Sequence, residues 1–178
     1  MKIPYPWLIL AAVFSGSLAG AAEYRDLDWL ELLPEKDRNA LLSQPAINHS
    51  GGAEGGPRAA LGGDNSAFDP AAYAWYSTDF KAELDQQLVR IPGFVVPLQY
   101  DEQQRVTEFF LVPYFGACIH TPPPPPNQII FVTASPGLNL RSIYDPYVVE
   151  GQMSTTLTSN DLGISAYSIA AANIVLYQ

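Results

Sequence analysis

The chain has 178 residues, with 18 acidic against 9 basic side chains and a formal charge of −9. That balance argues against nucleic acid, whose phosphates need a basic patch, and suits cations or a basic partner surface; acidity that only keeps an exported protein soluble is the plainer alternative. One cysteine in the whole sequence rules out an internal disulfide and a Cys-x-x-Cys redox pair, and the length is that of one domain.

Residues Met1 to Ala22 read as a secretory signal. Lys2 gives the positive start, Trp7 to Val13 the apolar stretch, and Ala19 and Ala21 the small-residue cleavage pattern, so cleavage is expected after Ala21 or Ala22. The apolar stretch is interrupted by Ser15, Gly16 and Ser17 and is short for a membrane span. The expected product is a periplasmic or secreted protein that is not integral to a membrane, with an uncleaved anchor as the alternative. Removing the signal takes away Lys2 and no acid, leaving about 156 residues of single-domain size.

Residues 23–72 form the expected extension. Asp26 to Leu42 carries Leu27, Leu30, Leu33, Leu41 and Leu42 among charges, with Asp28 and Glu31 near its front, and predicts a short amphipathic helix broken at Pro34. From Ser43 to Ala72 the composition shifts to Gly, Ala, Pro, Asn and Asp without periodicity, which reads as a loop. His49 lies in it.

Residues 73–178 predict an all-β domain. Leu88 to Leu98 is rich in β-branched and aromatic residues, and Pro92 with Gly93 predicts a bulge or bend. Tyr100 to Arg105 is a polar turn, Val106 to Val112 a hairpin partner, and Ile129 to Thr133 a third strand. Tyr147 to Met153 and Ala166 to Tyr177 supply the fourth and fifth, the last with helix as an alternative for part of its length. Five such strands with a break after the third fit a small OB-like barrel.

Between the second and third strands lies VPYFGACIHTPPPPPNQ, Val112 to Gln128. In an extended backbone, side chains at i and i+2 leave one face, so Cys118 and His120 can direct sulfur and imidazole to one point, a donor pair that suits zinc or copper(I). Zinc takes three or four protein groups. His49 is the first candidate for a third ligand, with carboxylates such as Glu54 or Asp64 behind it. A lone cysteine is also commonly just buried. The run Pro122, Pro123, Pro124, Pro125 and Pro126 predicts a stiff polyproline II rod of roughly 15 Å. The rod is either an edge connection that blocks strand pairing or a docking surface, in which Tyr114 and Phe115 add an apolar face and Asn127 and Gln128 supply hydrogen bonds at the rim.

The stretches VRIPGFVVPL, FFLVPYFGACIHTPPPPPNQIIFV, VEGQM and AYSIAAANIVLY closely resemble the secreted bacterial family catalogued as domain of unknown function 3299, over roughly Leu84 to Tyr177. The resemblance implies export, and for some members a gene neighbourhood with ABC transporter components linked to metal, chiefly zinc. It implies no established activity. Cys118 and His120 match the family's Cys-x-His stretch.

Enzyme chemistry is mostly set aside. Two neighbours on one strand make a poor nucleophile–base dyad, because the groups stand side by side rather than converging on a substrate. There is no G-x-S-x-G, P-loop, G-x-G-x-x-G or H-E-x-x-H pattern. The spacing of Asp145 and Glu150 does not separate them from surface charge. The expected function is therefore a non-enzymatic metal-handling accessory, binding zinc or copper(I) and working with an ABC-transporter-linked envelope protein. The alternative is a metal-free interaction module that uses the proline segment and the barrel face.

Overall fold

A computed structural model describes residues 23–42, 70–117 and 124–178. The expected signal peptide, most of the 43–72 loop with His49, Glu54 and Asp64, and Cys118, His120, Pro122 and Pro123 lie outside the described residues.

Five strands close into a barrel: β2 (Leu88–Tyr100), β3 (Val106–Val112), β4 (Ile130–Leu138), β5 (Pro146–Ser154) and β8 (Tyr167–Leu176). Their order is β2-β3-β4-β8-β5, with β5 returning to β2. All these pairings are antiparallel except β4 with β8, which is parallel. Five strands in this order, with the third and fifth parallel, give the OB-like barrel that the sequence predicts. Closure is possible because β2 is long enough to serve both sides. Its first half, Leu88 to Phe94, pairs with β5 and its second half, from Phe94, with β3. Gly93 sits at this change of partner, where a Cβ would lie 2.8 Å from Leu111 Cγ and from the Val112 carbonyl oxygen, so only glycine fits. Of the bulge or bend expected at Pro92 and Gly93, the bulge is absent there; the register against β3 slips instead between Pro97 and Gln99 and again between Gln99 and Tyr100.

Alternation sorts the side chains. Val89, Ile91 and Val95 of β2, Phe109 and Leu111 of β3, Ile130 and Val132 of β4, Val149 and Met153 of β5, and Tyr167 and Ile169 of β8 meet in one buried core. Strand β3 is apolar on both faces, and Phe110 and Val112 point out of the barrel. They stay buried because a second cluster forms there with Ala117 and Ile129, flanked by Phe94, Val96, Leu98 and Phe131. Phe110 and Phe131 meet edge to face, with centroids 6.3 Å apart. The outer faces of the second and third strands are where OB folds commonly bind ligands; here Ala117 and Ile129 of the β3–β4 connection pack onto that surface.

The extension follows the predicted helix only in part. The two-residue strand β1 (Arg25–Asp26) runs parallel to β2. A 3-10 turn at Trp29–Leu32 begins with a capping box, in which Asp28 accepts from the Leu30 N–H and Glu31 from the Asp28 N–H. The break at Pro34 is present, and α1 (Glu35–Leu42) follows. Leu27, Leu32 and Leu33 are buried, whereas Leu30 and Leu42 are exposed. The β block does not start at Tyr73. A short helix α2 (Pro70–Trp75) and a 3-10 turn at Ala82–Leu84 precede β2, and Leu84 plugs the core. A small hairpin, β6 (Thr158–Asn160) with β7 (Gly163–Ser165), interrupts the path from β5 to β8. The fifth predicted strand is strand from Tyr167 to Leu176, with no helix in it. No helix among the described residues is long and apolar enough to cross a membrane.

Candidate functional site

The connection from β3 to β4 carries the sequence's most distinctive residues, and its two described flanks are fixed to the barrel. Strand β3 ends at Val112 before Pro113. The chain then turns through Gly116, whose φ of 81° favours glycine, and Ala117 packs into the outer cluster. On the far side Pro124 and Pro125 are buried, and Pro126–Gln128 forms a 3-10 turn. The Pro125 carbonyl accepts from the Gln128 N–H at 2.8 Å, and the Pro126 carbonyl accepts from the Ala166 N–H at 2.9 Å. The C-terminal part of the proline run is thus packed against the protein, with Pro125 in polyproline II geometry at φ −58° and ψ 153°, and the run passes into a 3-10 turn at Pro126.

Asn127 and Gln128 are also corrected. Both are buried and their amides are used within the chain, so they do not form a rim for a partner. Gln128 Nε2 donates to the Trp29 carbonyl at 2.7 Å. Asn127 Nδ2 donates to Asp37 Oδ2 at 3.0 Å and to the Asp79 carbonyl at 3.2 Å. Asp37, a carboxylate only 1% exposed, accepts a second hydrogen bond from Ser77 Oγ at 2.6 Å. Donors aimed at a buried carboxylate replace the water it has lost. Lys36 pairs with Asp79 at 2.5 Å, which raises the lysine pKa, chiefly through that bond.

Tyr167 joins this polar clamp to the barrel. From β8 its hydroxyl donates to the Leu32 carbonyl and accepts from the Lys81 N–H, both at 2.7 Å. Burial pushes its pKa up to about 12. Trp29 adds a further tie, its indole N–H donating to the Pro92 carbonyl at 2.7 Å. The residues before the barrel and the connection after β3 are therefore bolted to each other as well as to the barrel.

Beside the connection lies an exposed aromatic group. The Phe115 ring is 4.6 Å from Tyr144 and 6.2 Å, edge on, from Phe94. Phe115 is 39% exposed, Tyr114 47% and Tyr144 68%. Tyr114 and Phe115 thus lie at the surface. Phe94 and Tyr144 join Phe115 without any cue in the local sequence, because they come from β2 and from the loop before β5.

Elsewhere on the barrel wall, Arg90, Glu150 and Asn173 form a row across β2, β5 and β8. Arg90 donates to Glu150 Oε1 at 2.7 Å, and Asn173 Nδ2 donates to Glu150 Oε2 at 2.9 Å. The Asn173 bond first, and Arg90 after it, hold the Glu150 carboxyl below its ordinary pKa. Glu150 is thus a fixed structural anion. Among the described residues no group of three or more His, Cys, Asp and Glu side chains is placed to hold a metal ion.

A family model described as "protein of unknown function (DUF3299)" matches residues 29–176. A search of curated proteins finds no match. Among solved structures, the crystal structure of a DUF3299 family protein (PA4066) from Pseudomonas aeruginosa PAO1 is similar, with 30% sequence identity, a TM-score of 0.63, and coverage of 88% of this chain and 97% of that one.

Proposed function

The chain belongs to the DUF3299 family of proteins of unknown function, and on that premise we propose that it is an exported, non-enzymatic accessory in metal handling, whose Cys118 and His120 supply a thiolate and an imidazole to zinc or copper(I). The observation that carries this reading is the anchoring of both flanks of the Cys-x-His segment: Ala117 is buried on one side, Pro124 and Pro125 on the other, and Asn127 is tied to the extension through Asp37. A donor pair on a tethered segment loses less conformational freedom on binding than one on a free tail.

The donor chemistry fits a soft or borderline metal. Two protein ligands leave positions open, and an open site suits exchange with a partner better than permanent storage. His49 is the first candidate to complete the set, with Glu54 or Asp64 behind it; a group on a transporter-linked envelope partner is the other source. Zinc titration of the reduced, signal-free protein tests this reading. Cys118→Ser and His120→Ala should each weaken zinc binding by orders of magnitude while leaving the circular dichroism spectrum unchanged. Loss of fold in both variants, with no metal bound by the parent, would assign the motif to structure.

The exposed Phe115 and Tyr144, with the half-buried Phe94 beside them, favour a second reading, a metal-free interaction module. In that case Phe115→Ser with Tyr144→Ser abolishes co-purification of an envelope partner, and chelators have no effect on it.

A further inference from the structure

The barrel has one open seam. Strands β4 and β8 pair from Ile130 with Tyr167 to Ala134 with Ala171, and there the pairing stops. Strand β4 then bulges away. Between its pairs Thr133 with Glu108 and Leu138 with Val106, the residues Ala134 to Gly137 stand opposite Thr107 alone. Strand β8 slips register against β5 at Ala172, between the pairs Gly151 with Ala171 and Glu150 with Asn173, and continues to Leu176, held on that side through Ile174 with Val149, Val175 with Val148 and Leu176 with Tyr147. Among the described residues no strand pairs with Ala172 to Leu176 on the β4 side. An open cleft of about 360 Å³ lies there, walled by Ser135, Pro136 and Gly137 of β4 and by Ala171, Ala172 and Asn173 of β8.

Such an edge has unused main-chain donors and acceptors, and proteins ordinarily guard it with charge or proline. No charged residue and no proline occurs from Gly163 to Gln178. Leu138, Ile174 and Leu176, partly buried against the main core, border the same seam. A strand laid in it would gain ladder hydrogen bonds and cover the end of that core.

We propose that the β4–β8 seam is a strand-addition site for an extended peptide of another protein, with small apolar residues at alternate positions and lysine or arginine at its flanks. The alternation follows from the pleat, since every second side chain of an added strand would face Leu138 and Ile174. The cleft of about 360 Å³, bordered by Pro136, Leu138 and Ile174 as well as by smaller residues, is shared along the whole added strand and leaves room for small side chains. The basic flanks answer the net charge of −9. A second copy of this chain fits less well, because each copy carries the same net charge of −9. The site is independent of the metal reading.

The test uses the reduced, signal-free protein and a fluorescent peptide of alternating alanine and valine flanked by two lysines at each end. Binding with Kd near or below about 100 μM is expected, with new hydrogen-exchange protection confined to Ala172–Leu176. A peptide of the same composition with two central positions replaced by proline should lose at least about tenfold, as should the variant Ala172→Arg, whereas Ala172→Ser should bind as the parent does. The proposal is overturned by any of three results: no binding, equal binding of the proline peptide, which means charge attraction alone, or self-association through Ala172–Leu176, which would make the occupant a second copy.

Discussion

The barrel interior and the layer outside it are held together by different physics. Inside, Val89, Ile91, Phe109, Leu111, Val149, Tyr167 and Ile169 contribute mainly by leaving water, so stability is spread over many side chains. Outside, a small apolar cluster around Phe110 is covered by a connection whose position depends on a few polar atoms: Asp37, Ser77, Asn127, Gln128 and the Tyr167 hydroxyl. The first region resists change gradually. The second is expected to loosen on a single substitution while the barrel stays folded.

The largest expected effect lies inside. Phe109→Ala removes a fully buried ring and should cost about 3–5 kcal/mol in urea denaturation. Gly151→Ala follows, at about 3 kcal/mol. Its Cβ would stand 2.3 Å from the Ala170 carbonyl oxygen, a backbone atom that moves only if β5 and β8 separate.

Tyr167→Phe tests the joint between the two regions. It keeps the ring and strips the Leu32 carbonyl and the Lys81 N–H of their shared partner, for about 1–3 kcal/mol. It should also remove an alkaline dependence: because the folded pKa lies above that of a free tyrosine, the stabilisation is complete below the unfolded pKa, near 10, and is lost as pH rises through about 12. A global unfolding titration between those values, in parent and variant, measures it.

Asn127→Ala acts on the outer layer. It deprives the buried Asp37 carboxylate of a donor and should loosen residues 35–42 and 124–129 by about 1–3 kcal/mol in hydrogen exchange, while β3 and β8 amides keep their protection. Uniform loss of protection would show that the two regions unfold as one.

The smallest effect is expected at Glu150. Its folded pKa is depressed, so its contribution is present above the unfolded value and falls away as pH drops through the folded one. Glu150→Gln should flatten the acid limb of the stability profile below about pH 4.3, and Asn173→Ala should shrink it.

The sequence was most legible where burial follows a local pattern. Runs such as Val106–Val112 and Ile130–Val132 carry β-branched and aromatic residues at strand spacing, and all five barrel strands fall close to their predicted places. The 3-10 turn, the break at Pro34 and α1 also follow from local cues. The polar clamp was illegible, because Asp37 lies 40 residues from Ser77 and 90 from Asn127 and an aspartate early in a helix looks like an ordinary dipole partner. Asn127 and Gln128 read as surface residues for the same reason: nothing beside them in the chain supplies their acceptors. The β6–β7 hairpin is short and polar, and it left no periodic signal. At the candidate site, the sequence brought out Tyr114 and Phe115, but Phe94 and Tyr144 reach them only through the barrel's closure.

The most direct measurement is a zinc titration of the reduced, signal-free protein, with the alkylation rate of Cys118 followed at each point. One zinc ion bound per chain, with Cys118 protected in proportion and both effects lost in His120→Ala, is the expected result. A protein that binds no zinc or copper(I), with Cys118 unreactive from the start, would contradict a metal-handling role and leave the exposed aromatic face as the better guide to function.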